Sequence, residues 1–179
     1  YSKRTGLVNA QVHSNNQDYQ FDLRSIININ DSATQPINIM IPNFVNTKID
    51  LLQKYIGSVF SNVTGYATGQ LQIVGTGDKL DYIGDLQLKD GSLHVNYTRC
   101  TYKIPSATVH LRADQIDFGS FQVLDSLGNK AEVSKGILYH HSFHDMRYDF
   151  ALNTNKLLLL HTKITDNNQF YGTLIGRAN

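Results

Sequence analysis

The stretch Gly84–Tyr97, "GDLQLKDGSLHVNY", decides the fold, because its apolar residues recur at every second position. Leu86 and Leu88 form one pair and Leu93, Val95 and Tyr97 the next set, with "KDGS" between them as a turn signal. A period of two belongs to a strand with one buried face, since successive side chains point to opposite sides of the sheet. The same alternation appears at Tyr19/Phe21/Leu23, Ile37/Ile39/Ile41, Leu71/Ile73, Val109/Leu111, Ile116/Phe118, Phe121/Val123 and Tyr148/Phe150/Leu152. "GTGD", "DSLGN" and "TDNN" supply further Asx and positive-φ turn chemistry. Short strands joined by short polar turns predict an antiparallel meander: an all-β chain with a long sheet that, by curling back on itself, leaves either a filled core or a long apolar trough.

The 179 residues suffice for one structural domain with a real core, and the chain reads as a segment of a longer polypeptide. Lys and Arg number 16 against 15 Asp and Glu, and the bases are scattered, so nothing points to nucleic acid. Charged residues make up 17% of the chain, below the usual share of about 25%. Asn, Gln, Ser and Thr carry the polar surface instead, with 10 Tyr and 8 Phe among them, a mixture suited to strands. No apolar run approaches the roughly 18 residues that cross a bilayer as a helix. The single Cys100 rules out an internal disulfide and reads as a buried small apolar residue, with an exposed thiol as the alternative.

Residues 1–46 read as β-rich and continuous with the sheet of 62–179. Between them, Ile49, Leu52, Ile56, Val59 and Phe60 follow helical spacing, which predicts an amphipathic helix over 47–61 that seals one end or face of the sheet. Asn46 or Thr47 would cap it, Asp50 sits in its first turn, and Gly65 follows its end. Gly-x-Leu recurs at Gly69, Gly84, Gly136 and Gly172 at unequal intervals, a recurring way to start a strand rather than a solenoid period.

The candidate chemistry centres on "YHHSFHD", 139–145. His140, His141, His144 and Asp145 are metal-binding residue types, and a metal-dependent enzyme using the His140–His144 cluster is one reading. On a regular strand, however, His140 and His141 point to opposite faces and cannot hold one ion. His141 and His144 converge only if Ser142-Phe143 turns sharply, and His161 lies on a separate apolar strand. A strand end with solvated or hydrogen-bonded histidines is the simpler account. No G-x-S-x-G elbow or phosphate loop is present, and Asp117, Asp125, Asp145 and Asp149 read as outward positions between buried neighbours. The chain is therefore expected to be no enzyme, with no cofactor and no metal. What stands out is the apolar face, to which the alternating Leu71, Ile73, Leu86, Leu88, Val109, Leu111, Phe118, Val123, Phe150 and Leu152 belong.

Four stretches, in this order, carry a resemblance: "VFSNVTGYATGQLQIVGT", "LDYIGDLQLKDGSLHVNYTRCTYKI", "IDFGSFQVLDSLGNKAEVSKGILYHHSFHDMRYDFAL" and "LLLLHTKITDNNQFYGT". The motifs fall at Gly65 to Leu71, Asp125 to Ala131, Gly136 to Phe143 and Thr165 to Gly172. Over about 47–179 the chain resembles the C-terminal region of the TamB family, the translocation and assembly module proteins of Gram-negative envelopes. The resemblance implies a β-taco, a long curled sheet forming an open trough with an apolar interior: an inner-membrane-anchored, periplasm-spanning sheet that carries phospholipids between the inner and outer membranes, with the ten apolar residues named above as lipid-groove candidates. It also implies a part in outer-membrane protein assembly with a BamA-like partner, and a structural role for the histidine cluster as a strand-to-strand connection.

Overall fold

The computed structural model describes residues 6–29, 36–57, 60–77, 79–141 and 144–178. They form eleven strands: β1 (Leu7–Asn16), β2 (Tyr19–Asn28), β3 (Ile37–Lys48), β4 (Phe60–Gly75), β5 (Leu80–Val95), β6 (Cys100–Leu111), β7 (Gln115–Asp117), β8 (Phe121–Asp125), β9 (Lys130–His141), β10 (His144–Thr162) and β11 (Gly172–Ala178). Every pairing is antiparallel and follows chain order in one curled sheet, with β7 and β8 both lying between β6 and β9. At about 4.8 Å per strand the sheet runs on the order of 50 Å across its strands.

Register sorts the side chains into an apolar and a polar face. Ile41, Leu71, Gly84, Leu111, Ile116, Leu138 and Tyr148 are successive cross-strand partners and form one lateral row. A second row runs Phe21, Phe44, Gly69, Leu86 and Val109. The other face carries polar pairs, among them Gln72 Nε2 to Asn38 Oδ1 at 3.1 Å, Gln87 Nε2 to Thr108 Oγ1 at 3.1 Å, and His110 Nδ1 with Asp85 Oδ1 at 2.6 Å. Glycine and leucine alternate opposite one another on the apolar face (Leu71 against Gly84, Gly69 against Leu86), so bulky side chains interdigitate without crowding the backbone.

"KDGS" is not a turn. Strand β5 runs straight through it, and Asp90 adopts φ 51° as the centre of a bulge that shifts register against β4 between Thr64 and Tyr66. The hairpin reverses later, at 96–99, which puts Tyr97 on a turn, highly exposed, rather than on a strand. Both a turn and a bulge need a left-handed residue, so local composition does not separate them. "GTGD", "DSLGN" and "TDNN" do connect strands, β4 to β5, β8 to β9 and β10 to β11. Of the Gly-x-Leu sites, only Gly172 opens a strand; Gly69, Gly84 and Gly136 lie within strands where a neighbour approaches closely.

The bulge belongs to a line of irregularities across the sheet. Two successive residues face solvent at Lys89–Asp90 in β5, Pro105–Ser106 in β6 and Ser134–Lys135 in β9. Beyond each, burial changes parity: Ala107 and Val109 give way to Cys100 in β6, and Gly136 and His140 give way to Val133 and Ala131 in β9. Gly119, at φ 58° between β7 and β8, and the β9–β10 register shift at Ala151/Leu152 continue the line. A bulge sets two residues against one partner, bends the strand, and carries the apolar face onto the other parity without moving it to the other side. The line is a crease about which the sheet curls.

The helix expected over 47–61 shrinks to a 3-10 turn at Asp50–Leu52 followed by α1 (Gln53–Ile56). The ladder claims both flanks: Thr47 and Lys48 pair with Ala67 and Tyr66, and Phe60 and Ser61 with Val95 and His94. Neither Asn46 nor Thr47 caps the turn, whose N-cap Ile49 has no side-chain cap bond, and Gly65 lies inside β4. Gln53 closes the turn, its amide donating to Phe60 O at 2.9 Å and accepting from Val63 N at 3.1 Å. Val59 and the side chains of Leu52 and Ile56 lie outside the described residues, and Leu51 is exposed.

A Cβ at Gly84 would sit 2.2 Å from Gln70 O, whereas one at Gly77 would meet nothing within 4 Å. Gly84→Ala is therefore expected to lower the urea unfolding midpoint, at a cost of about 1–3 kcal/mol, while Gly77→Ala leaves it nearly unchanged.

Candidate functional site

The apolar face is a trough, open on one side of the crease and closed on the other. The chain exposes 11806 Å² at 20.1 kDa, against about 8,700 Å² for a compact monomer of that mass. The buried apolar residues are mostly small, such as Val63, Ala67, Ala107, Val109, Ala131 and Val133. The larger Leu71, Ile73, Leu86, Leu88 and Leu111 stay half-exposed, so this part of the sheet has no covering layer among the described residues.

Register places the sequence-derived candidates on one face. Leu71, Leu86, Val109 and Leu111 belong to the rows above; Ile73 pairs with Tyr82 and Ile39, and Leu88 with Ala67 and Ala107. Phe118 and Phe150 meet over Gly136 with ring centroids 6.0 Å apart, and a Cβ on that glycine would approach Phe150 Cε1 to 3.0 Å. Phe150, 48% exposed, is the most open of the candidates. Across the crease, Val123 faces Ala131 and Leu152 faces Val133.

Beyond the crease the face is covered by the chain's own β10. Leu157, Leu158, Cys100, Val133 and Ala131 are all buried, and Cys100 is 0% exposed. Tyr102 Oη donates to Leu158 O at 2.7 Å, His161 N to Thr98 O at 2.8 Å, and Arg99 pairs with Asp166 at 3.1 Å. Burial, with the Cys100 thiol beside it, pushes the Tyr102 hydroxyl well above its ordinary value, so it stays a neutral donor.

Asp125, expected to point outward, is the corrected residue: it is 4% exposed and organises this closure. Its Oδ1 accepts from Leu127 N and Asn129 N, both at 2.9 Å, and its Oδ2 from Asn129 Nδ2 and Leu158 N, both at 2.8 Å. Burial pushes its pKa up, but these hydrogen bonds, led by the Asn129 side chain, outweigh it and hold the carboxyl below the ordinary value. The Asx-turn signature "DSLGN" was the signal for the turn; nothing local announces the long-range bond to Leu158. Asp149, by contrast, pairs with Lys135 at 2.5 Å on the polar face.

In the histidine stretch, His140 is 2% exposed on the apolar face and His141 is exposed, so the two sit on opposite sides of β9. Burial lowers the His140 pKa and favours its neutral form. Ser142, Phe143 and the side chain of His144 lie outside the described residues. Among the described residues no group of His, Cys, Asp or Glu is arranged to hold a metal ion. His161 is exposed, with Nδ1 3.1 Å from Thr173 Oγ1. No helix of the described residues is long and apolar enough to cross a membrane.

No family model, no curated protein and no solved structure matches this chain.

Asp125→Asn removes the charge that four donors share and is expected to cost about 1–3 kcal/mol at neutral pH in urea unfolding. Because the folded pKa is depressed, the wild-type contribution is complete above the unfolded carboxylate value and fades as pH falls through the folded one. The variant should accordingly lose less stability than wild type when unfolding is compared between pH 6 and acid.

Proposed function

We propose that this chain is a non-enzymatic segment of a periplasmic hydrophobic conduit that carries phospholipids between the inner and outer membranes, within a longer protein anchored in the inner membrane. One observation supports this reading above the rest: cross-strand rows of Ile, Leu, Val and Phe, with glycines among them, run over most of the sheet, and their larger members such as Leu71, Leu86 and Leu111 stay half-exposed. Such a surface suits an elongated apolar guest. Burying acyl methylenes on it stabilises the guest by about 0.8 kcal/mol each. The rows repeat with little chemical change from strand to strand, so a chain slides along them without meeting a deep trap. The polar pairs on the opposite face keep that side in water. The sequence resemblance to the TamB family points the same way.

A second reading, a scaffold for outer-membrane protein assembly with a BamA-like partner, draws on the sheet's edges. Strand β1 pairs in unbroken register with β2, and its sequence "LVNAQVHSNN" contains no Lys, Arg, Asp, Glu or Pro. An edge lacking those protective residues can add an incoming strand.

Photo-crosslinking in living cells separates the two. A photoreactive residue in place of Leu88 should yield a phospholipid adduct that is absent at the outward Gln87. An outer-membrane protein adduct at β1 with no lipid at Leu88 would favour the scaffold instead. Leu88→Asp, at a half-exposed position, is expected to keep a cooperative unfolding transition while abolishing the lipid adduct read at Leu71; loss of folding would mean the face is a filled core.

A further inference from the structure

The wall of the trough contains a slit. Strand β6 pairs with β8 at Tyr102↔Asp125 and Lys103↔Leu124, and with β7 at His110↔Asp117 and Leu111↔Ile116. The offset is the same at both ends, yet between them 104–109 and 118–123 form no ladder. On its far side β8 remains paired with β9 from Phe121↔Val133 to Leu124↔Lys130, so the split opens between two otherwise well-formed ladders. Two residues account for it. Pro105 has no N–H to donate, and Gly119 at φ 58° turns the β7–β8 connection away from β6.

The opening is a cleft of about 270 Å³ lined by Pro105, Ser106, Ser120, Phe121, Gln122 and Glu132. These come from both sides of the wall. Phe121 faces the buried Val133 on the apolar side, whereas Gln122 and Glu132 are an exposed cross-strand pair on the other. The volume lies just under the ~300 Å³ at which ligand pockets begin, which suits a small polar group rather than a whole lipid. Residues 104–109 are paired with β5 on one edge and form no ladder on the edge toward β8, so the slit is a wet place beside an apolar path. It also lies on the crease, where the open trough meets the part closed by Leu157 and Leu158.

We propose that this slit is a side port through which the polar head of a lipid leaves the trough wall while its acyl chain stays on the apolar face. The inference rests on the conduit reading. The head it fits carries an ammonium group and a hydrogen-bond acceptor such as a phosphodiester. Glu132 forms no ion pair among the described residues and supplies the anion. The Ser106 and Ser120 hydroxyls and the Gln122 amide supply neutral donors at the rim.

The test uses the whole chain with vesicles of either phosphatidylethanolamine or phosphatidylglycerol in a neutral carrier lipid. A photoreactive residue replaces Ser120, Leu88 or the outward Gln70, and lipid adducts are read by mass spectrometry. The port predicts a phosphatidylethanolamine adduct at Ser120 several-fold above Gln70, reduced by Glu132→Gln, with the Leu88 adduct unchanged. A Leu88 adduct with Ser120 no stronger than Gln70 would overturn the port and leave the conduit standing. Equal Ser120 labelling by the two lipids, insensitive to Glu132→Gln, would overturn the ammonium-bearing head. No adduct at Leu88 would overturn the conduit reading and the port with it.

Discussion

A single-layered sheet has one constraint that a two-layered fold shares out: every strand must hold its apolar residues on the same side over its whole length. A slip of one residue turns a strand's apolar set toward water. Strands as long as β4 and β5, each of 16 residues, must also bend if the sheet is to curl. The crease meets both demands. At Asp90, Pro105–Ser106, Gly119 and Ser134–Lys135 the chain admits an irregularity and the apolar residues change parity with it. Leu86 and Leu88 therefore share a face with Leu93, although their numbers disagree.

On either side of that line the same chemistry has different consequences. Toward Leu71, Leu86 and Leu111 the apolar rows remain half-open, because no layer of described residues covers them. Toward Cys100, Ala131 and Val133, all buried, the long strand β10 returns to the sheet, with Leu158 and His161 bonded to β6, β8 and the turn between β5 and β6. The return is held by hydrogen bonds rather than by area alone. Asp125 binds the backbone of Leu158 as well as its own turn, and Tyr102 binds the same residue's carbonyl. A buried carboxylate is tolerable there because its oxygens are fully engaged.

The open rows run across the strands, parallel to the crease that separates them from the closed part. Glycines opposite leucines let the apolar face interdigitate, and the polar pairs behind it keep the sheet's other face in water. Beside Pro105 the β6 ladder parts over 104–109 between its pairs with β8 and with β7, and this slit falls on the crease.

The amino-acid sequence by itself determined the class of fold and which residues within each alternating set share a face. Alternation with a period of two is a local property, and so is the turn chemistry of "DSLGN" and "TDNN". Only the tertiary structure decided the rest. A left-handed Asp followed by Gly serves a turn or a bulge equally well, so "KDGS" became a bulge only through its register with β4 and β6. Helical spacing at 49–60 yielded to ladders that reach in from both sides, since a short isolated helix is marginal against sheet pairing. Asp125 looked outward by alternation, yet Leu158 lies far along the chain and its approach follows from how the sheet curls. Parity fixes which residues share a side only between bulges; how the sets join, and where that side is open, closed or split, depends on long-range register, which no local pattern carries.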